Sequence, residues 1–189
     1  MDRRKEIILA ATRSFSLFGY KATTMDQVAK IAKVGKGTIY TFFANKEELF
    51  QEIVRSTIRE MRAEAQAVIG PDQPFRMKAH LALMKMLEFR EQHALLGKLI
   101  EEEKEIRTQA VQEMLGEVEA EIVDFISSKL KMAIERGEIR ECNPDLVAYM
   151  LFKSYVAFVI DWPETHGDPL PEKIIADLFN DTLFRGLLA

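Results

Sequence analysis

The sequence carries a single cysteine, Cys142, so an intrachain disulfide is excluded and a reducing cytoplasm is the expected setting. Its three histidines, His80, His93 and His166, are scattered and stand at metal-ligand spacing neither with the cysteine nor with carboxylates, so no metal is expected. No unbroken run of eighteen apolar residues occurs, and no helix is expected to span a membrane. The early apolar run "IILAA" is too short for a secretory leader, and helix-patterned polar residues follow it. Residues that alternate as a strand would are almost absent. The "GKGT" at 35–38 lacks the glycine that a P-loop needs ahead of it, separated from the Gly-Lys by four residues, and no nucleophile elbow is present. The acidic "EEEKEIR" at 101–107 reads as a solvated helix face. Nothing here points to an enzyme or to a cofactor.

What remains is a chain of 48% hydrophobic and 30% charged residues, the balance of a folded globular protein rather than a disordered one. The net charge of −4 is unevenly spread. Residues 1–50 hold nine Lys/Arg against five Asp/Glu, and residues 51–189 hold seventeen against twenty-five. A basic head on an acidic body suggests that only the head meets a polyanion.

Apolar residues recur at three and four positions, which predicts an all-α protein of about nine helices. The first covers 3–18, with Ile8, Ala11, Phe15 and Phe18 on one face and Gly19 as a left-handed cap. Thr24 and Gln27 form a capping box that opens a short second helix, 25–32. A tight turn at "KVG" leads to a third, 36–42, and Asn45 with Glu48 caps a fourth that continues to about residue 69. "GPDQP" at 70–74 is the clearest break. Further helices are expected over 75–92, 94–106 and 109–136, then after Asn143 with Pro144 in the first turn, and finally after Pro171. The segment "LVAYMLFKSYVAFVIDW" is apolar nearly all round, so it needs cover on more than one side.

Three helices with a tight turn between the second and third describe a helix-turn-helix. Ala29 is small where two helices cross, Val34 fills the turn, and Ile39 and Phe43 can anchor the third helix. Lys36, Gly37, Thr38, Tyr40, Thr41 and Phe42 are left outward, where a recognition helix delivers its N-terminal residues to a major groove.

The stretch "ILAATRSFSLFGYKATTMDQVAKIAKVGKGTIYTFFANKEELF" resembles the DNA-binding domain of the TetR/AcrR family of bacterial transcriptional regulators. The likeness runs over about residues 5–50 through "GY…TT", "VAKIA" and "GTIY.FF.NKEEL". Two positions depart from it: Lys33 stands where the family has Gly or a small residue, and Gly35 where Ser is common. The resemblance implies that Thr24, Tyr40 and Lys46 hold DNA phosphates. It implies that Lys36 and Thr38 reach bases, with Gly37 permitting close approach and Thr41 and Phe42 contacting DNA variably. Lys33 would alter phosphate contact or sequence preference.

It further implies a DNA-binding domain over 1–46 and a helical effector-binding and dimerisation domain over 47–189. The expected function is a sequence-specific regulator, a repressor released from its double-stranded operator by a hydrophobic small molecule; the alternative is a constitutive or architectural DNA-binding protein. Tyr149, Phe152, Val156, Phe179 and Leu183 are the expected contributors to a homodimer interface of the last two helices. Met84, Phe89, Phe125, Tyr155 and Phe158 belong to a Met- and Phe-rich interior suited to an adaptable apolar pocket, and His80, Arg90, His93 and Lys153 are candidates for a polar anchor.

Overall fold

The computed structural model describes residues 2–70, 72–92 and 94–188. Among these the architecture is all-α, with α1 Arg3–Ala22, α2 Met25–Ile31, α3 Lys36–Phe42, α4 Lys46–Ala67, α5 Phe75–Gln92, α6 Ala94–Ile106 and α7 Gln109–Glu135. The rod α8 is α-helical over Pro144–Val156, passes through a π-helical segment at Ala157–Asp161, and ends as Trp162–His166. The last, α9, is α-helical over Glu172–Leu178 and continues through a π-helical Phe179–Phe184 into a 3₁₀ turn at Arg185–Leu187. These make nine helical rods among the described residues. The only extended pairing described is an isolated bridge between Ile139 and Leu188.

The described chain forms two compact units, residues 1–60 with 93–118 and residues 61–92 with 119–189. The boundary read from sequence after residue 46 falls inside the first unit.

In the first unit Asp2 caps α1 by accepting the Arg4 and Lys5 N–H groups. Ile7, Ala10, Ala11, Ser14 and Phe15 form its buried face. The expected face was offset: Phe18 is 56% exposed, while Ile7 and Ser14 are buried instead. Gly19 is where α1 bends, but at φ 80°, ψ 172° it is not a left-handed cap, and helical bonding resumes to Ala22. Phe15, Tyr20 and Phe50 make an aromatic knot, with ring centroids 5.5 Å apart for Phe15–Phe50 and 4.6 Å for Tyr20–Phe50. Each such side chain contributes about 1.5–3 kcal/mol by leaving water. Helix α6 lies against α1 and buries Leu95 and Leu99.

In the second unit one core cluster joins Leu83 and Leu87 of α5 to Leu151 of α8 and Ile175, Phe179 and Phe184 of α9. Another joins Phe75, Leu130, Ala133, Ile139, Ala148 and Leu187. Helix α7 ends with Gly137 at φ 67°, its N–H bonded to Ile134 O and the Glu138 N–H to Ala133 O, which satisfies the last carbonyls. Asn143 then caps α8 by accepting the Asp145 and Leu146 N–H groups, with Pro144 in the first turn.

The rod Pro144–His166 is, by length and composition, apolar enough to cross a membrane, with a mean hydropathy of 1.2. Lys153 and Asp161 interrupt its apolar sequence, so it contains no unbroken run of eighteen apolar residues. The Lys153 ammonium is ion-paired to Glu119 of α7 at 2.6 Å, so mid-rod the helix meets a protein carboxylate. Only 11% of its apolar window is buried within the chain.

Candidate nucleic-acid interface

Residues 23–46 fold as the capping chemistry dictates. The Thr24 hydroxyl accepts the Gln27 N–H at 3.3 Å, and the Gln27 side chain accepts the Thr24 N–H at 2.9 Å, closing the capping box of α2. The end of α2 is a Schellman turn: the Lys33 N–H bonds to Lys30 O at 3.2 Å and the Val34 N–H to Ala29 O at 3.0 Å. Lys33 occupies the left-handed position of this turn, at φ 55°. Gly is favoured at such a position because it carries no Cβ, which accounts physically for the Lys33 departure being an unusual one.

Helix α3 starts at Gly35, which offers no side-chain cap. The helix is anchored inward by Ile39, fully buried, and by Phe43, 2% exposed. The Arg4 guanidinium lies 5.2 Å from the Phe43 ring centroid. Outward stand Lys36, Gly37, Tyr40, Thr41 and Phe42, all exposed, with Thr38 half-buried. The Thr41 hydroxyl donates back to Thr38 O at 2.7 Å. A Cβ built on Gly37 meets nothing within 4 Å, so this chain makes no packing demand for glycine there. The Lys36 ammonium rests on the Asp26 carboxylate of α2 at 2.9 Å. That contact raises its pKa above the ordinary lysine value. An open polar groove of about 450 Å³ runs beside the turn, lined by Arg3, Glu6, Lys33, Val34, Gly35 and Thr38.

Lys46 is placed differently from the other predicted contacts. Its ammonium donates to Tyr20 O at 2.9 Å and Thr23 O at 3.0 Å, and sits 4.2 Å from the Tyr20 ring centroid. Burial lowers its pKa, and the Glu102 charge partly offsets this. Lys46 therefore fastens the first turn of α4 to the α1–α2 connection, using two of its three N–H donors.

Glu102 of α6 holds the same connection. It is 4% exposed, not a solvated face residue as "EEEKEIR" suggested. Its oxygens accept the Lys21 N–H at 3.1 and 3.2 Å, and Oε1 accepts the Thr108 hydroxyl at 2.7 Å. No local pattern marks this residue, because its backbone partner lies 81 positions away. The Ser14 and Thr23 hydroxyls, 3.0 Å apart in the core, complete the junction.

In the second unit the structure brings Met84, Tyr155 and Phe158 against one core cluster. The Tyr155 hydroxyl donates to Met86 O at 2.9 Å. Phe89 is buried, and Phe125 lies between the Arg62 guanidinium and the Lys129 ammonium, 5.0 and 5.1 Å from its ring centroid. His80 Nδ1 is 2.8 Å from Asn180 Nδ2, and Lys153 is paired with Glu119. The Arg90 side chain and His93 lie outside the described residues.

Of the expected interface residues, Tyr149 is 48% exposed, and Phe152, Val156 and Leu183 are half-buried. Phe179 has to be corrected. At 2% exposed it packs on Phe158 and Phe184 of its own chain and offers no surface to a second one. The apolar side chains that α8 and α9 leave outward are Leu146, Tyr149, Met150, Ile174 and Leu178.

Comparison with known proteins agrees with this geometry. Residues 7–53 match the family model "Bacterial regulatory proteins, tetR family". The chain is 48% identical over 189 residues to the uncharacterized HTH-type transcriptional regulator YhgD of Bacillus subtilis (strain 168), covering 100% of this chain and 98% of that one. It is 25% identical over 174 residues to the HTH-type transcriptional repressor BepR of Brucella suis biovar 1 (strain 1330), covering 88% and 82% of the two chains. Among solved structures, the fatty acid degradation regulator FadR from Bacillus halodurans superposes with a TM-score of 0.78 at 18% identity, over 97% of this chain and 95% of that one. The SmeT–triclosan complex superposes with a TM-score of 0.80 at 19% identity, over 100% and 93%. This helix-turn-helix chain is a DNA-binding transcriptional regulator and belongs to the tetR family of bacterial regulatory proteins.

Proposed function

We propose that the protein is a homodimeric, ligand-responsive repressor acting in the cytoplasm, with α3 reading operator DNA in the major groove. The observation that carries the reading is Gly37. Glycine inside a helix costs about 0.5–1 kcal/mol relative to alanine, and no neighbour within the chain asks for it at this position. Gly97, Gly116 and Gly186 are equally open, but Gly37 alone stands on the outward face of the helix-turn-helix, where the missing Cβ permits close approach of the α3 backbone to DNA. Lys36 and Thr38 then face base edges, with Lys36 suited to guanine O6 and N7. Thr24 and Tyr40 meet phosphates, Thr41 and Phe42 flank the contact, and Lys33 faces phosphate from the turn. Lys46 contributes its remaining N–H and its charge while bracing the head.

For the homodimer, the support is the outward apolar set Leu146, Tyr149, Met150, Ile174 and Leu178, together with the small buried share of the α8 rod. The edge residues Phe152, Val156 and Leu183 join it. For the effector, the support is the grouping of Met84, Tyr155 and Phe158 against one core cluster, and a fold shared with SmeT in its complex with triclosan; Phe89 and Phe125 belong to the same unit. BepR, a similar protein, is named a repressor. An effector acts only by binding the DNA-incompetent form more tightly than the competent one. Helix α4 begins in the first unit and ends in the second.

The test is fluorescence anisotropy of a duplex enriched by the protein, titrated with a panel of hydrophobic compounds. Release of the duplex by one compound, with a matching rise in melting temperature of the free protein, is the expected outcome. If no compound alters either, the protein is a constitutive DNA-binding regulator.

A further inference from the structure

Asp26 is the one acidic residue between Glu6 and Glu47. It lies in the first turn of α2 and points its carboxylate at Lys36, across the turn on α3, where Oδ1 and Oδ2 are each 2.9 Å from the ammonium. Both side chains stay open to solvent, at 67% for Lys36 and 54% for Asp26. An ion pair this exposed contributes little to folding, and the place of Asp26 in the first turn of α2 adds a modest helix-dipole stabilisation that does not require Lys36 as a partner. On a surface that has to meet phosphates, a carboxylate repels every DNA sequence alike. For DNA binding its presence there is a cost on every sequence, and what its contact with Lys36 can add is discrimination among sequences.

We infer that Asp26 is a specificity-determining residue, a carboxylate that orients the Lys36 ammonium toward one base and discourages binding elsewhere. Without Asp26 the Lys36 stem is free to swing its ammonium to any nearby phosphate, a contact that carries no sequence information. With Asp26 in place the ammonium keeps one or two donors on the carboxylate and presents the rest in a fixed direction. Guanine O6 and N7 suit such a donor, and the carboxylate itself accepts from a neighbouring cytosine N4 amino group. Discrimination here comes from a repulsive element as well as an attractive one.

This inference rests on the proposed reading of DNA by α3. The experiment is selection from randomised duplex DNA with the full-length protein and its Asp26→Asn, Asp26→Ala and Lys36→Ala variants, followed by affinity measurement on the selected duplex and a scrambled one. The expected result is that both Asp26 variants flatten the base preference at the position that Lys36→Ala also flattens. They should bind the scrambled duplex about threefold or more tightly, since one repulsive charge is gone. If Lys36→Ala changes the preference while both Asp26 variants keep the wild-type preference and the wild-type ratio of affinities, the role of Asp26 is overturned and the reading by α3 stands. If the wild-type protein enriches no sequence, both are overturned.

Discussion

Gly19 and Glu102 interlock. A Cβ built on Gly19 lies 2.5 Å from Glu102 Oε2, and the backbone at φ 80°, ψ 172° is a conformation that is essentially glycine's alone. The glycine lets the carboxylate of α6 reach the Lys21 N–H and hold the link between α1 and α2. Gly19→Ala is expected to destabilise the protein by about 2–3 kcal/mol through backbone strain. Glu102→Ala, which strips the Lys21 N–H of its acceptor, is expected to destabilise it by about 1–3 kcal/mol. Urea denaturation of each variant measures both. The double variant should cost less than the sum of the two by the clash between the new Cβ and the carboxylate, while the backbone strain at position 19 persists without Glu102.

Gly37 separates folding from DNA recognition. Gly37→Ala has room, so it is expected to leave stability unchanged or raise it by up to about 1 kcal/mol. The same change should weaken binding to a selected duplex by tenfold or more, because the methyl group stands between the α3 backbone and DNA. Thermal melting and anisotropy on one protein preparation read the two effects.

Lys33 sits in the left-handed position that Gly137 occupies at the end of α7. Lys33→Gly is expected to stabilise the protein by about 0.5–1 kcal/mol, the left-handed penalty less the extra chain entropy of glycine. It also removes one cation beside α3, so the dependence of DNA affinity on salt should become shallower by about one ion. Lys33→Ala, which loses the charge without relieving the backbone, should reproduce the salt effect alone.

The dimer surface is tested with side chains that point away from the chain's own core. Tyr149→Glu and Leu178→Glu are expected to sediment as folded monomers. Phe179→Glu is expected to unfold the second unit instead, because it places a carboxylate among Phe158 and Phe184. A folded dimer for Tyr149→Glu and Leu178→Glu would contradict the interface.

The helices and the turn were legible because their signals are local. Thr24 with Gln27, Asn143 with Pro144, and Pro171 each announce a helix start within four residues, and Ile39 and Phe43 show the buried side of α3 by spacing alone. Glu102 was not legible, since its partners at Gly19 and Lys21 are remote in sequence and its acidic neighbours imitate a solvated face. Phe179 was misplaced for a related reason. Ile174, Ile175, Leu178 and Phe179 form an apolar band wide enough to face two ways, and only packing decides that Ile175 and Phe179 turn inward while Ile174 and Leu178 turn out. The Asp26–Lys36 pair also joins residues of two helices, so it emerges only once the turn between them is closed.

The most direct test of the account is the sequence enriched from randomised duplex DNA by the wild-type protein and by a Lys36→Ala/Tyr40→Ala double variant. The account predicts that the wild type enriches two inverted half-sites, centred about one helical turn or a multiple of it apart, and that the double variant loses this enrichment while remaining folded. An identical enriched sequence from both proteins, or none from the wild type, would contradict it.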